Sequence, residues 1–147
     1  MTDLTTEDIE IAQKVEVLAF DQAGCRMIQK KIEESSSKIW VTAFAGAVIY
    51  CMLDILPDAM TNQFGNYLCQ KLIEVSSKET LKLLIHAILP SIVNISMNLH
   101  GTRVIQTLVE ALATDPKFLH SEILAIGVEM TQNIFEMSTH TNGNHVI

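Results

Sequence analysis

The sequence predicts an all-α protein, a right-handed α-α superhelical solenoid of stacked repeats, and three observations carry that prediction. Three prolines and six glycines in 147 residues are too few for a turn-rich β fold. Apolar residues pair at i and i+4, as in Ile28 and Ile32, Leu68 and Leu72, and Val104 and Leu108, the spacing of one helical face. A window anchored on glycine also returns four times, and fixed-period self-similarity is the mark of a repeat array.

The windows are Asp21-Gln22-Ala23-Gly24-Cys25-Arg26-Met27-Ile28-Gln29, Asn62-Gln63-Phe64-Gly65-Asn66-Tyr67-Leu68-Cys69-Gln70, Asn98-Leu99-His100-Gly101-Thr102-Arg103-Val104-Ile105-Gln106 and His140-Thr141-Asn142-Gly143-Asn144-His145-Val146-Ile147. Their glycines are spaced 65−24=41, 101−65=36 and 143−101=42 residues apart. Such a period suits helical repeats with variable insertions. Asp21, Asn62 and Asn98 are good helix N-caps; His140 departs from that pattern. Each window opens a helix whose stripe (Ile28, Ile32, Leu68, Cys69, Leu72, Ile73, Val104, Ile105, Leu108 and Val109) is buried. Before the windows run apolar helices, coarsely over 8–19, 43–59, 90–97 and 122–137. Pro90 opens its helix and ends the one before it. Linkers fall at Ser35 to Ser37, Ser76 and Ser77, and Thr114 to Pro116. One domain of about four repeats follows, roughly 8–36, 37–77, 78–115 and 116–147, the last truncated. Each repeat is too small to bury its own stripe, so neighbours stack. The chain stops at Ile147 inside a helix, which predicts a fragment of a longer solenoid.

The net charge of −7 argues against a nucleic-acid surface, but its distribution argues the other way. The eight residues beginning at each of the first three glycines hold Arg26, Lys30, Lys31, Lys71 and Arg103 and no carboxylate. Stacked side by side, these helices predict a basic strip of the kind a phosphate backbone attracts. A solvated helix face is the plainer alternative.

Other chemistry finds little support. Three cysteines without a CxxC spacing suit a reducing compartment. The acidic start is no signal peptide. The charge-poor stretches at 39–53 and 83–102 are too short or too polar for a membrane span. His140 and His145 are five apart, wrong for a zinc pair on one helix face. No nucleotide-loop or hydrolase motif occurs. Cys69 falls on the buried stripe; Cys25 is expected exposed, without a neighbouring base. Trp40 and the methionines read as core. The chain is therefore predicted not to be an enzyme and to need no cofactor or metal.

The residues after each glycine carry a repeated chemistry. Positions one and five share a helix face, and position two adjoins them. Position two is Arg26, Tyr67, Arg103 or His145, each with a planar group that can stack on a base. Position five is Gln29, Gln70 or Gln106, whose amide donates and accepts. Position one alternates between a small side chain (Cys25, Thr102) and an amide (Asn66, Asn144). Three full copies and a partial fourth in register resemble the base-reading helices of Pumilio-family repeats. The order Cys-Arg, Asn-Tyr, Thr-Arg, Asn-His is similar to family repeats one to four, although Thr102 stands where Cys or Ser is commoner. The resemblance implies a crescent that binds single-stranded RNA antiparallel, one base per repeat. Arg26, Tyr67, Arg103 and His145 would stack between bases, while Cys25, Gln29, Asn66, Gln70, Thr102, Gln106 and Asn144 would contact base edges. Lys30 and Lys71 would lie near the backbone. The expected element is 5′-UAUA-3′, read by repeats four to one. A monomeric cytoplasmic regulator of mRNA through 3′ untranslated regions is implied, with deadenylase or translational-repressor proteins as partners. The alternative is a protein–protein scaffold of armadillo or HEAT type, in which position five need not be a fixed glutamine.

Overall fold

The computed structural model describes residues 4–147, and helices alone form its regular structure. Helices α1 (Thr6–Gln13) and α2 (Val15–Leu18) lead into α3 (Gln22–Glu34), the helix of the first window. Next come α4 (Lys38–Met52), α5 (Leu56–Met60) and α6 (Gly65–Val75), then α7 (Lys78–Ile88), α8 (Ile92–Met97) and α9 (Gly101–Leu112). Helices α10 (His120–Gln132) and α11 (Ile134–Thr139) precede the fourth window.

Two rows result. In the inner row α3 packs on α6 and α6 on α9; in the outer row α1 packs on α4, α4 on α7 and α7 on α10. The short helices α2, α5, α8 and α11 each pack against the window that follows. The core is one continuous seam, with Ile28, Leu68, Val104 and Leu108 from the inner row against Phe44, Ile49, Leu84 and Ile88 from the outer. Each such side chain contributes ~1.5–3 kcal/mol when fully buried. The expected stripe is buried apart from Val109, which is 42% exposed: it lies beyond the edge where α9 meets its neighbours.

The outer helices begin where serines stop the chain. Ser37 Oγ accepts from the Trp40 amide and Ser77 Oγ from the Thr80 amide, both at 3.2 Å, so α4 starts at Lys38 rather than at residue 43. The expected single helices over 8–19, 43–59 and 122–137 are each broken. The breaks fall at Lys14 (φ −95°, ψ 5°), Ile55 (−111°, 1°) and Asn133 (−121°, 17°), and Ser91 (−110°, 3°) occupies the same place before the third window. All four lie ten residues before a window glycine (24−14, 65−55, 101−91, 143−133). They sit in the sparsely allowed bridge region, and each turns the chain from an outer helix into a short one. Pro90 lies in a 3₁₀ turn, Leu89–Ser91, which follows α7 and leads into α8. The run Lys78–Met97 is long and apolar enough to cross a membrane by composition, yet Leu81, Leu84, Ile85, Ile88, Ile92 and Ile95 are buried in the core seam.

Asp8 pins the N-terminal end. It is 2% exposed, closes a capping box with Thr5, accepts from the Trp40 indole N–H at 3.0 Å and pairs with Lys31 at 3.1 Å. Trp40 is half-buried and stacks on Phe44, with centroids 4.8 Å apart.

Candidate nucleic-acid interface

The four windows are built by one backbone device. A Cβ on any window glycine would collide with the carbonyl oxygen six residues earlier: Leu18 O at 2.7 Å from Gly24, Ala59 O at 2.5 Å from Gly65, Met137 O at 2.9 Å from Gly143, and Ile95 O closer still at Gly101. Each short helix thus runs its C-terminal turn directly onto the start of the window helix, and only glycine admits that approach. Three residues before each glycine a side chain caps the turn. Asp21 Oδ2 accepts from the Gly24 amide at 2.7 Å, while Asn62 Oδ1 and Asn98 Oδ1 each accept from the following glycine at 3.0 Å. His140, the exception in sequence, does the same work: its Nδ1 accepts from the Asn142 and Gly143 amides at 3.0 and 3.2 Å. The fourth window itself closes as a 3₁₀ turn, Gly143–His145, instead of opening an α-helix.

The three expected positions lie at three depths. Position one forms the floor: Cys25, Asn66 and Thr102 are 2%, 1% and 4% exposed. Position five is half-buried at Gln29, Gln70 and Gln106, and position two is exposed at Arg26, Tyr67, Arg103 and His145. Asn144 in the incomplete window is exposed.

The expectation that Cys25 is exposed is overturned. Its thiol donates to Ala19 O at 3.1 Å and Leu18 O at 3.4 Å. Burial, reinforced by Asp21, pushes it up to about 11. Burial, with Cys25 adding to it, raises Cys69 as well. Both thiols are neutral small groups, not nucleophiles. The spacing Cys25, Ile28, Ile32 already placed Cys25 at the margin of the apolar stripe.

The polar groups are held in a defined order. Asn66 donates through Nδ2 to Asn62 O (2.8 Å) and Gln63 O (3.1 Å), and its Oδ1 accepts from Gln70 Nε2 at 3.2 Å. Thr107 on the next reading helix donates to Gln70 Oε1 at 3.5 Å. Gln29 Nε2 donates to Cys25 O, Gln106 Nε2 to His145 O, and the Thr102 hydroxyl to Asn142 O. The oriented Asn66–Gln70 pair retains one N–H of Gln70 and a lone pair on Asn66 Oδ1, a donor beside an acceptor.

Between α3 and α6 lies a hollow lined by Gln22, Cys25, Arg26, Gln29, Gln63, Phe64 and Tyr67. It joins the triad of the first window to the position-two ring of the second. A second notch lies between Gln106 and His145. Gln22, Gln63 and Phe64 were not singled out in the sequence. Gln22 and Gln63 each precede a position-two residue by four, and that spacing could have found them.

The basic strip is not free of carboxylates. Lys30 meets Glu34 at 3.7 Å, Lys31 meets Asp8, and Lys71 meets Glu33 at 3.4 Å and Glu74 at 3.7 Å. Glu33, Glu34 and Glu74 stand just past the eight-residue stretches and are brought back by one helical turn or one neighbouring helix, while Asp8 comes across from α1. Arg26 and Arg103 make no salt bridge among the described residues.

The Pumilio-family RNA binding repeat matches the chain at residues 14–39, 59–89, 91–116 and 133–147. A Pumilio domain-containing protein of Schizosaccharomyces pombe is 36% identical over 137 residues, which cover 92% of this chain and 19% of that protein. Pumilio homolog 9 of Arabidopsis thaliana is 30% identical over 142 residues, 95% of this chain and 23% of the relative. The chain thus spans about a fifth of the length of these relatives. Among solved structures, the Puf4 RNA-binding domain bound to a 3′ UTR recognition sequence of HO endonuclease RNA superposes with a TM-score of 0.76 at 36% identity, covering 88% of this chain and 37% of that domain. The RNA-binding domain of yeast Puf5p bound to MFA2 RNA gives 0.75 at 32% identity, covering 88% and 34%.

Proposed function

Because this chain belongs to the Pumilio family of RNA-binding repeat proteins, we propose that it reads single-stranded RNA one base per repeat. The repeats run over 8–36, 37–77, 78–115 and 116–147. Arg26, Tyr67, Arg103 and His145 stack between bases, and Cys25, Gln29, Asn66, Gln70, Thr102, Gln106 and Asn144 meet base edges. The preferred element is 5′-UAUA-3′, bound antiparallel. The observation that carries this reading is the ordered depth of the triad on three neighbouring helices: a small or amide floor, a glutamine wall and a planar rim. A base sliding between two rims would stack on both and meet the glutamine with its edge. Stacking contributes ~1–3 kcal/mol per base and is sequence-tolerant; the edge contacts add the choice of base.

Lys30 and Lys71 serve the phosphate backbone only by exchanging their carboxylate partners, so they are secondary contacts. The natural targets are 3′ untranslated regions of mRNA, bound by the related Puf4 domain. The setting is cytoplasmic, with the protein acting as a monomer that recruits deadenylase or repressor proteins. Binding is the whole chemistry: the buried neutral thiols offer no nucleophile, and no cofactor is called for. A protein-binding scaffold of armadillo or HEAT type has no use for three glutamines at one depth.

Titration of the chain into labelled UAUA RNA, and into the same RNA with purines and pyrimidines exchanged, tests the reading at fixed salt. Preference for UAUA, weakened about tenfold or more by Tyr67→Ala or Arg103→Ala, is the expected result. Equal affinity for both RNAs, or alanine variants that bind as wild type, would overturn it.

A further inference from the structure

A hollow of about 600 Å³ lies between α1 and α3 at the N-terminal end of the inner row, on the side of α3 away from α6. On α3 the residues facing α6 are Cys25 and Gln29, whereas those lining the hollow toward α1 are Ala23, Met27, Lys30, Lys31 and Glu34. Gln22 and Arg26, one turn apart, line both hollows. Arg26 therefore stands as a partition between the hollow toward α6 and the hollow toward α1. The far side carries an apolar patch, Met27 at 39% exposure with Ile11 of α1 opposite, beside the charged Glu7, Lys31 and Glu34. Its rim carries Lys30, whose 3.7 Å pair with Glu34 is solvent-exposed on both sides and is readily exchanged.

We propose that this hollow is a fifth nucleotide subsite, which takes the base immediately 3′ of the tetranucleotide. The inference rests on the reading above, since antiparallel binding brings the 3′ end of the RNA to α3. A planar base entering here would stack on the outer face of Arg26 and cover Met27 and Ile11, while its phosphate comes within reach of Lys30. Ile11, Ala23 and Met27 offer the base an apolar patch without a paired donor and acceptor, and Glu7, Gln22, Lys31 and Glu34 stand around it. The subsite thus selects for the presence of a base, and discriminates among the four only weakly. Its contribution is to sandwich Arg26 between two bases, so that the last specified adenine is no longer a frayed end.

The test compares 5′-fluorescein UAUA with UAUA extended at its 3′ end by A, U, G or C, and by an abasic nucleotide, using fluorescence anisotropy. Each base-bearing extension is expected to tighten binding by about tenfold, with less than a threefold spread among the bases, and the abasic extension to leave affinity close to that of UAUA. Met27→Glu should erase the gain while leaving UAUA affinity unchanged. Met27→Ala, a milder change at a partly exposed helical site, should reduce it. Wild-type protein that binds UAUA selectively but gains nothing from a fifth base would overturn the subsite alone. So would a gain equally large with the abasic nucleotide or in both Met27 variants. Loss of UAUA selectivity itself would instead overturn the reading, and the subsite with it.

Discussion

Asp8 shows how much one side chain can hold in this protein. Burial alone would raise its carboxyl, but hydrogen bonds from the Trp40 indole, the Thr5 backbone and Lys31 outweigh that and bring it down from 3.8 to about 2. A carboxylate depressed on folding contributes stability above its unfolded value, and that contribution is lost as the pH falls through its folded value. Asp8→Asn is therefore expected to cost about 2 kcal/mol at neutral pH. The gap from wild type should narrow between pH 4 and pH 2, as followed by urea unfolding across that range. The glycines make an opposed pair. Gly101→Ala drives a Cβ into the Ile95 carbonyl and should destabilise by ~1–3 kcal/mol. Gly127, inside α10 with nothing within 4 Å, should gain up to about 1 kcal/mol on becoming alanine. The same denaturation curves report both. Which glycines matter was legible from their register. Why they matter was not, since the colliding carbonyl belongs to a backbone and leaves no letter in the sequence.

Among the elements, the reading helices were legible and the helices before them were read too simply. Stripe residues such as Ile28 and Leu68 announce α3 and α6 by spacing alone. The bends at Lys14, Ile55, Ser91 and Asn133 share a conformation and a distance from glycine, but their four side chains have nothing in common. The bend is imposed by packing, and no propensity marks it. Cap chemistry went the other way at His140, where an unlike residue performs the like function. His140→Ala is expected to remove about 1 kcal/mol of local stability, and His140→Asn to restore the pattern of Asn62 and Asn98 with little loss. Amide hydrogen exchange at Asn142 and Gly143 reads the difference, faster in the alanine variant alone.

For the molecule as a whole, charge decides how affinity responds to salt. The chain carries −7 overall, and three of the five window cations are already engaged by Asp8, Glu33, Glu34 and Glu74. Composition counted those cations correctly but could not show their partners, which arrive from the next turn or the next helix. With Arg26 and Arg103 as the uncommitted pair, the logarithm of affinity should fall against log salt with a slope of about −1.4, at ~0.7 per phosphate for a single strand. Anisotropy titrations at several potassium chloride concentrations measure it. A slope near −3.5, as for five free cations, would mean that RNA strips the carboxylates away.

The contact between each window glycine and the carbonyl six residues before it also acts as a gauge. The outer helices differ in length, 15 residues in α4, 11 in α7 and 13 in α10, and with the longer connection before α10 they account for the unequal glycine spacings. Because every reading helix is clamped to its short helix at the same offset, that slack is taken up on the outer side. The start of each inner rung is therefore set by one local contact and not by the length of the helix behind it, so a polymer with a fixed stride meets the same device at every step.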